Sequence, residues 1–391
     1  MRRWVGWMLL LMTAVSLLYA PFSACTEEWG SFVVEDEDEQ APPDPRRQAW
    51  AMMRLMTDEE KIYQLFFVSL EDLTGEDRTT RLEADGLLKR RPVGGVMIFG
   101  QNIETEAQLK ELTENLRGQA RTAGLFPLFI GTDEEGGNVS RVANKLGYPL
   151  APSPGETGES GNEEKARAAG LQIAGYLTPL GFNVSFSPPA DTMMGKSQPG
   201  VQMFGDGPEL VSRMAAAMAE GLRAGGVVPC YTHFPGHGTL EGTTLSALSI
   251  RRTPEEMREW EFIPFRDGIE NGIEMILVSH GLVRTVGDDI PASTSAAVIT
   301  GLLRRELGYD GLVITDALRM SAVTSNYKKG QESLAALKAG ADMLLLPPDL
   351  DAAVRAIRKA LDSGEITMAR IEESVERILA VKIRMAMITG D

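Results

Sequence analysis

The sequence predicts an α/β fold, a single (β/α)8 TIM-like barrel, and three observations carry that reading. Short segments that are apolar throughout recur along the chain with helical segments between them, the pattern of a parallel sheet covered on both faces. Their number approaches eight over a length that suits one barrel. Polar residues able to do chemistry stand directly after several of these segments, and barrel enzymes build their sites at the C-terminal ends of the strands. A doubly wound sheet is the alternative. It would want a glycine-rich loop after its first strand, whereas Gly94-Gly95 precede theirs. No C-terminal β domain is expected, because the chain ends soon after its last helical segment.

The elements follow in order. Residues 1–24 open with Met1-Arg2-Arg3, run apolar from Trp4 to about Leu18, and end in small residues. That is the pattern of a signal peptide and is too short and interrupted for a spanning helix. Ser23-Ala24-Cys25 fits a lipobox, with Cys25 acylated; ordinary secretion is the alternative. Residues 25–47 are rich in acid and proline and read as a disordered tether. The barrel domain is expected over residues 48–391.

Thr57-Asp58-Glu59-Glu60 caps a helix carrying Ile62, Leu65 and Phe66 on one face. Strands are expected at 94–100, 127–132, 183–186, 227–230, 275–278, 312–314 and 343–346. Helices are expected at 105–119, 163–178, 208–225, 254–271, 296–306, 331–339, 350–362 and from Ala369 to about Met387.

The formal charge is −16 and grows more negative if Arg2 and Arg3 leave with the signal. Such a balance excludes a nucleic-acid partner, which needs a basic surface, and argues against broad attraction to anionic lipid. With Cys25 acylated, Cys230 is the one remaining thiol, so no internal disulfide can form. His233 and His237 are spaced as metal ligands could be, but no further His or Cys cluster supports a metal.

Four blocks carry chemistry: Thr57-Asp-Glu-Glu-Lys-Ile-Tyr-Gln-Leu65, Thr132-Asp-Glu-Glu-Gly-Gly-Asn-Val-Ser-Arg141, His233-Phe-Pro-Gly-His-Gly238 and Thr315-Asp-Ala-Leu-Arg-Met320. In this order they resemble the bacterial β-N-acetylglucosaminidases of glycoside hydrolase family 3. The resemblance implies hydrolysis of terminal β-linked N-acetylhexosamine with retention, without a cofactor. It gives Asp316 as nucleophile, Asp133 on sugar hydroxyls, His233 on the sugar, and Arg141, His237 and His280 as further site residues.

Each has a plainer reading. Asp316 could cap a helix, Asp133 could be one loop acid among Glu134 and Glu135, Arg141 could be a structural ion-pair member, and His237 could be a packed loop histidine.

The chain departs from the family in one loop. After His-Phe-Pro-Gly-His-Gly the family carries Asp-Ser-His, whose His is the general acid/base. Here Thr243 and Leu245 occupy the Asp and His positions, and neither can give up a proton near neutral pH. Glu241 is the only acid in that loop and is the surrogate candidate. Thr232 replaces a lysine, and Gln202 replaces a sugar-binding arginine. The resemblance therefore implies a weakened glycosidase acting on cell-wall-derived amino sugars. The alternatives are a non-catalytic lipoprotein that binds a glycan or a protein, and a scaffold without a ligand. The expected setting is extracytoplasmic, as a monomer held to the bacterial membrane only through its lipid anchor, with a carbohydrate partner.

Overall fold

The computed structural model describes residues 44–389 except 83–85, 125–126, 193–201, 237–248, 251 and 288, with side chains described up to 386. Eight parallel strands form one sheet in an order that follows the sequence: β1 (Phe66–Ser69), β2 (Gly95–Met97), β3 (Phe129–Thr132), β4 (Val184–Ser185), β5 (Val228–Phe234), β6 (Met275–Val278), β7 (Leu312–Thr315) and β8 (Leu344–Leu345). β8 pairs with β1, and a parallel bridge from Ile314 to Met343 joins β7 to the start of β8, which closes the ring. Every strand has its neighbours in sequence as neighbours in space. Only a barrel satisfies that for all eight.

The expected strands form, with two corrections. β1 is new. Thr57 and Glu60 make the expected capping box of helix α1 (Asp58–Gln64), but the chain passes from Leu65 straight into β1. Phe66 therefore belongs to the sheet and not to the helix face. β5 runs on to Phe234, past the expected end at Cys230. The expected helix 254–271 is two, Pro254–Arg258 and Phe262–Glu270. The folded body also begins slightly before Gln48, with a helix at Pro45–Met53 that buries Ala49 and Met53.

The interior is filled by aromatic rings set against glycines. Phe67 lies 5.4 Å edge-on to Phe186 and 6.4 Å from Phe129. A Cβ on Gly95 would come within 2.5 Å of the Phe67 ring, and one on Gly131 within 2.8 Å. These glycines supply the room that Phe67 occupies. Truncating so enclosed a ring costs roughly 3–5 kcal/mol in transfer and cavity terms.

Helix α2 (Met368–Thr389) closes the N-terminal end of the barrel. Its buried stripe is Ile371, Val375, Ile378 and Lys382, a helical spacing in which a lysine takes an apolar place. Lys382 Nζ donates to Gln64 Oε1 at 2.9 Å and sits 5.1 Å from the centre of the Phe129 ring. At the same end, fully buried Asp342 accepts from Val313 N at 3.0 Å and from Ser374 Oγ at 2.8 Å, and pairs with Arg304 and Arg377. One carboxylate thus ties β7 and α2 together at the floor. No helix among the described residues is long and apolar enough to cross a membrane.

Candidate active site at the C-terminal end of the barrel

Asp133, His233, His280 and Asp316 stand at the C-terminal ends of β3, β5, β6 and β7. Each strand fixes the backbone of its residue, which makes this rim the rigid part of the molecule best able to hold reacting groups.

β3 leads through Asp133 into a small hairpin, Glu134–Gly136 paired with Val139–Ser140. Side chains alternate along an extended chain, so Asp133 and Glu134 take opposite faces, and the hairpin's register shifts between Glu134 and Gly136. Glu134 is fully buried there. It accepts from Val142 N at 2.8 Å, Ala143 N at 3.0 Å and the Tyr176 hydroxyl at 2.8 Å. It caps the helix Arg141–Leu146 and serves the fold. Asp133 turns toward the cleft, with Arg141 Nη2 3.7 Å away. Burial raises the Asp133 carboxyl above its ordinary range; Arg141 opposes that, and the charge of Asp316 adds to it. Burial also pushes Glu135 up to about 8, against the pull of His233 and with a further push from Asp133 and Asp191.

His233 is held by a partner that the sequence reading passed over. Asp191 is almost fully buried; its Oδ2 accepts from His233 Nδ1 at 2.8 Å and its Oδ1 from the His233 backbone N–H at 3.3 Å. Burial alone would lower the imidazole pKa. The charge and hydrogen bond of Asp191 outweigh it, helped by Asp316 and Glu135, and the ring stands at about 9. At neutral pH the cleft therefore holds an imidazolium–carboxylate pair.

His280 differs. It is buried, its Nε2 lies 2.9 Å from the Ala317 carbonyl and its Nδ1 2.7 Å from Ser293 Oγ. A carbonyl can only accept, so Nε2 carries the proton and a neutral ring accepts from the serine hydroxyl at Nδ1. Both nitrogens are engaged, and His280 positions the chain just after Asp316.

Asp316 is half-buried. Its Oδ1 accepts from Ala317 N at 2.7 Å, and its own N–H donates to Val278 O at 2.8 Å. The next helix, Ser321–Thr324, starts well beyond it with Met320 as N-cap, so Asp316 is not that helix's cap. Arg319 then pins the loop to Asp72 at 2.5 Å and to the carbonyl of Pro347 at 3.2 Å.

Gln202 and Thr232 are neutral residues. Gln202 Nε2 makes a long contact of 3.4 Å to the Gly136 carbonyl. Its Oε1 and the hydroxyl of Thr232 are buried with no hydrogen-bond partner among the described residues. His237, Glu241, Thr243 and Leu245, like Cys25, lie outside the described residues. Among the described residues no group of His, Cys, Asp and Glu is set to hold a metal ion. Beside the hairpin a cleft of about 700 Å³ opens between Asn138, Leu150, Pro152 and Glu159.

One residue that holds a site histidine escaped the sequence reading. Asp191 follows Ser187-Pro-Pro-Ala190, a segment with no strand-like run of its own, although it comes soon after β4.

The chain is similar to known proteins. The description of the glycosyl hydrolase family 3 N-terminal domain fits residues 57–381. A β-hexosaminidase of Methylobacillus flagellatus is 33% identical over 262 residues, covering 65% of this chain and 73% of that protein. β-Hexosaminidase A of Pseudoalteromonas piscicida is 27% identical over 330 residues, covering 78% of this chain, which spans 55% of that relative's length. The structure of a family 3 β-N-acetylglucosaminidase from a Paenibacillus strain superposes with a TM-score of 0.78 at 34% identity, over 85% of this chain and 63% of that one. The chain belongs to glycosyl hydrolase family 3.

Proposed function

We propose that this protein is a retaining β-N-acetylhexosaminidase, weakened at its acid/base position, that removes terminal N-acetylhexosamine from cell-wall-derived amino sugars. The observation that carries the reading is the setting of Asp316. It is a half-buried carboxylate at a strand end, with one oxygen fixed by the next backbone N–H and its loop braced by His280 and Arg319. A retaining glycosidase needs such a positioned carboxylate to attack the anomeric carbon. Asp133, Arg141 and His233 surround the same space and suit sugar hydroxyls, since charged groups make the stronger hydrogen bonds. The relatives named above are β-hexosaminidases, which supports the substrate class.

The test is covalent trapping. A slow fluorinated N-acetylglucosaminide should add one glycosyl unit to the protein, mapped by mass spectrometry to the peptide holding Asp316. Adduct elsewhere, or none under conditions that turn over an aryl glycoside, would sink the reading.

A second reading rests on specific substitutions. Thr243 and Leu245 stand where the family's acid/base pair would be, and Gln202 and Thr232 stand where it has cations. These favour a non-catalytic protein that binds a glycan or another protein. Saturable binding of N-acetylglucosamine oligomers, without turnover even of activated aryl glycosides, would establish it. In either case we place the domain outside the cytoplasm, lipid-anchored at Cys25. Cys25→Ser should release it from the membrane fraction; unchanged fractionation would remove the anchor.

A further inference from the structure

We propose that the protein meets the membrane with the closed floor of its barrel, so that the mouth holding Asp316 opens away from the lipid, toward glycan that is not part of the bilayer. The proposal rests on the reading above that Cys25 carries a lipid anchor, and it gives that anchor a direction.

The direction follows from where the chain enters the fold. Asp44 caps the helix Pro45–Met53, whose Ala49 and Met53 are buried. That helix packs against α2, which closes the floor. Its Arg46 Nη2 donates to the Asp310 carbonyl at 2.8 Å and lies 2.6 Å from Asp310 Oδ2. Arg377 of α2 donates to the same carboxylate at 3.1 Å. The exposed Arg46 pair contributes little by itself, and the buried Ala49 and Met53 fix the helix. Asp310 stands just before β7 and Asp316 just after it. Extended chain between the two covers about 20 Å at the strand rise of ~3.3 Å per residue. The chain therefore arrives at one end of the strand whose other end holds the nucleophile.

Length sets how strongly this direction is held. Roughly 20 residues run from Cys25 to Asp44, and they reach no more than ~70 Å fully extended. An unstructured chain of that length spans about 25 Å on average. A body of about 340 residues is roughly 50 Å across. With the mouth against the lipid, the tether would have to run the height of the body, about twice its average span. With the floor against the lipid it has almost nothing to span. Glu27, Glu28 and the run Glu35-Asp-Glu-Asp-Glu39 have no cation among them, so they repel one another and an anionic surface. Extension from that cause keeps the direction, because a taut tether holds the body beyond its attachment point. Glycan arriving from beyond the bilayer then meets the mouth, and a sugar on a lipid of the same leaflet meets the floor.

The test is energy transfer from the lipidated full chain to an acceptor dye on the headgroups of phosphatidylcholine–phosphatidylglycerol vesicles. The helix Leu350–Asp362 runs from mouth to floor. Its start lies by the loop after Asp316, where Arg319 donates to the Pro347 carbonyl, and Lys329 Nζ lies 3.9 Å from its N-cap Asp349. Lys329→Cys therefore labels the mouth and Asp362→Cys the floor, about 20 Å apart along a helix of 13 residues. Both positions are exposed, whereas Cys230 is buried with its thiol pushed well up by burial and stays unlabelled. A donor at Asp362→Cys should lose severalfold more of its emission to the lipid dye than a donor at Lys329→Cys.

If either variant does not fold, the exposed positions Thr324→Cys at the mouth and Glu365→Cys at the floor carry the same comparison. Equal losses from the two positions, or the reverse order, overturn the proposal and leave the anchor standing, provided that Cys25→Ser still releases the chain from membranes. A Cys25→Ser chain that stays membrane-bound overturns the anchor reading, and the direction falls with it.

Discussion

Lys382 at the floor of this barrel and the groups at its mouth bury charge in opposite ways. At the floor, Lys382 is sealed among Phe129 and the α2 stripe with only the neutral Gln64 oxygen for company, and burial pushes its pKa down to about 7. At the mouth, Asp133, Glu135, Asp191 and Asp316 are set round His233 and Arg141, and every shift there has a charged neighbour among its causes. Lys382 shows what burial does alone. The mouth shows burial organised by partners, where carboxyls are held up and an imidazolium is held on. Perturbed groups facing one another mark a site; a perturbed group facing hydrocarbon marks a structural cost.

The sharpest way to break this comparison is Asp316→Ala. Turnover should fall at least about 10³-fold, as for other nucleophile removals, while thermal stability stays the same or rises, since a mutual repulsion with Asp133 is relieved. Activity surviving the change would mean that the mouth is not the reacting centre. Asp342→Ala tests the other end. It leaves Arg304 and Arg377 without their shared buried carboxylate and should cost about 3 kcal/mol in urea unfolding. The rate per folded molecule should hold.

Asp191→Asn comes next. Without that charge, burial controls His233, and its pKa should drop from about 9 to below the ordinary histidine value, read by NMR titration. The linkage sign follows. A folded pKa above the unfolded 6.5 gives stability that is complete below about 6.5 and is lost as pH rises through about 9. The variant should lose that pH dependence and about 10²-fold in kcat/KM, an effect the size of a misplaced charged contact. A titration unchanged from wild type would mean that Asp191 does not set the imidazole's charge.

Most of the fold was legible because parallel strands buried on both faces are apolar throughout, and seven of them announce themselves. β1 was hidden by continuity. Leu65 and Phe66 keep the apolar spacing of α1, and no glycine, proline or polar turn marks the passage from helix to strand. The extension of β5 was hidden by chemistry, since Thr232 and His233 are polar and read as loop although the strand runs on through them, with a register shift against β6, to Phe234. At the site, the legible residues were those standing after apolar strands. Asp191 was not, because its hold on His233 joins residues 42 positions apart, and no local pattern encodes such a pair.

The smallest effect should come from Lys382→Met, and it separates the two ends most cleanly. Wild type carries a lysine whose folded pKa is about 7 and whose ordinary value is 10.5. Below about 7 both states bind the proton and the burial penalty is at its full, constant size. Between about 7 and 10.5 the unfolded chain holds a proton that the folded chain has released, so wild-type stability gains with pH from this group. Methionine has no such proton. It keeps the packing of the stem, though it leaves the Gln64 oxygen unpaired, so its absolute stability is a balance of two terms. The pH dependence is not. The variant's stability relative to wild type should fall by about 1.4 kcal/mol per pH unit at most, roughly 2 kcal/mol between pH 7 and 9. Urea unfolding at several pH values reads this directly, with kcat/KM unchanged because Lys382 lies at the end away from Asp316. Parallel stability curves for the two proteins would mean that the buried ammonium keeps its proton in the fold, and the contrast between a partnered mouth and an unpartnered Lys382 would then be wrong.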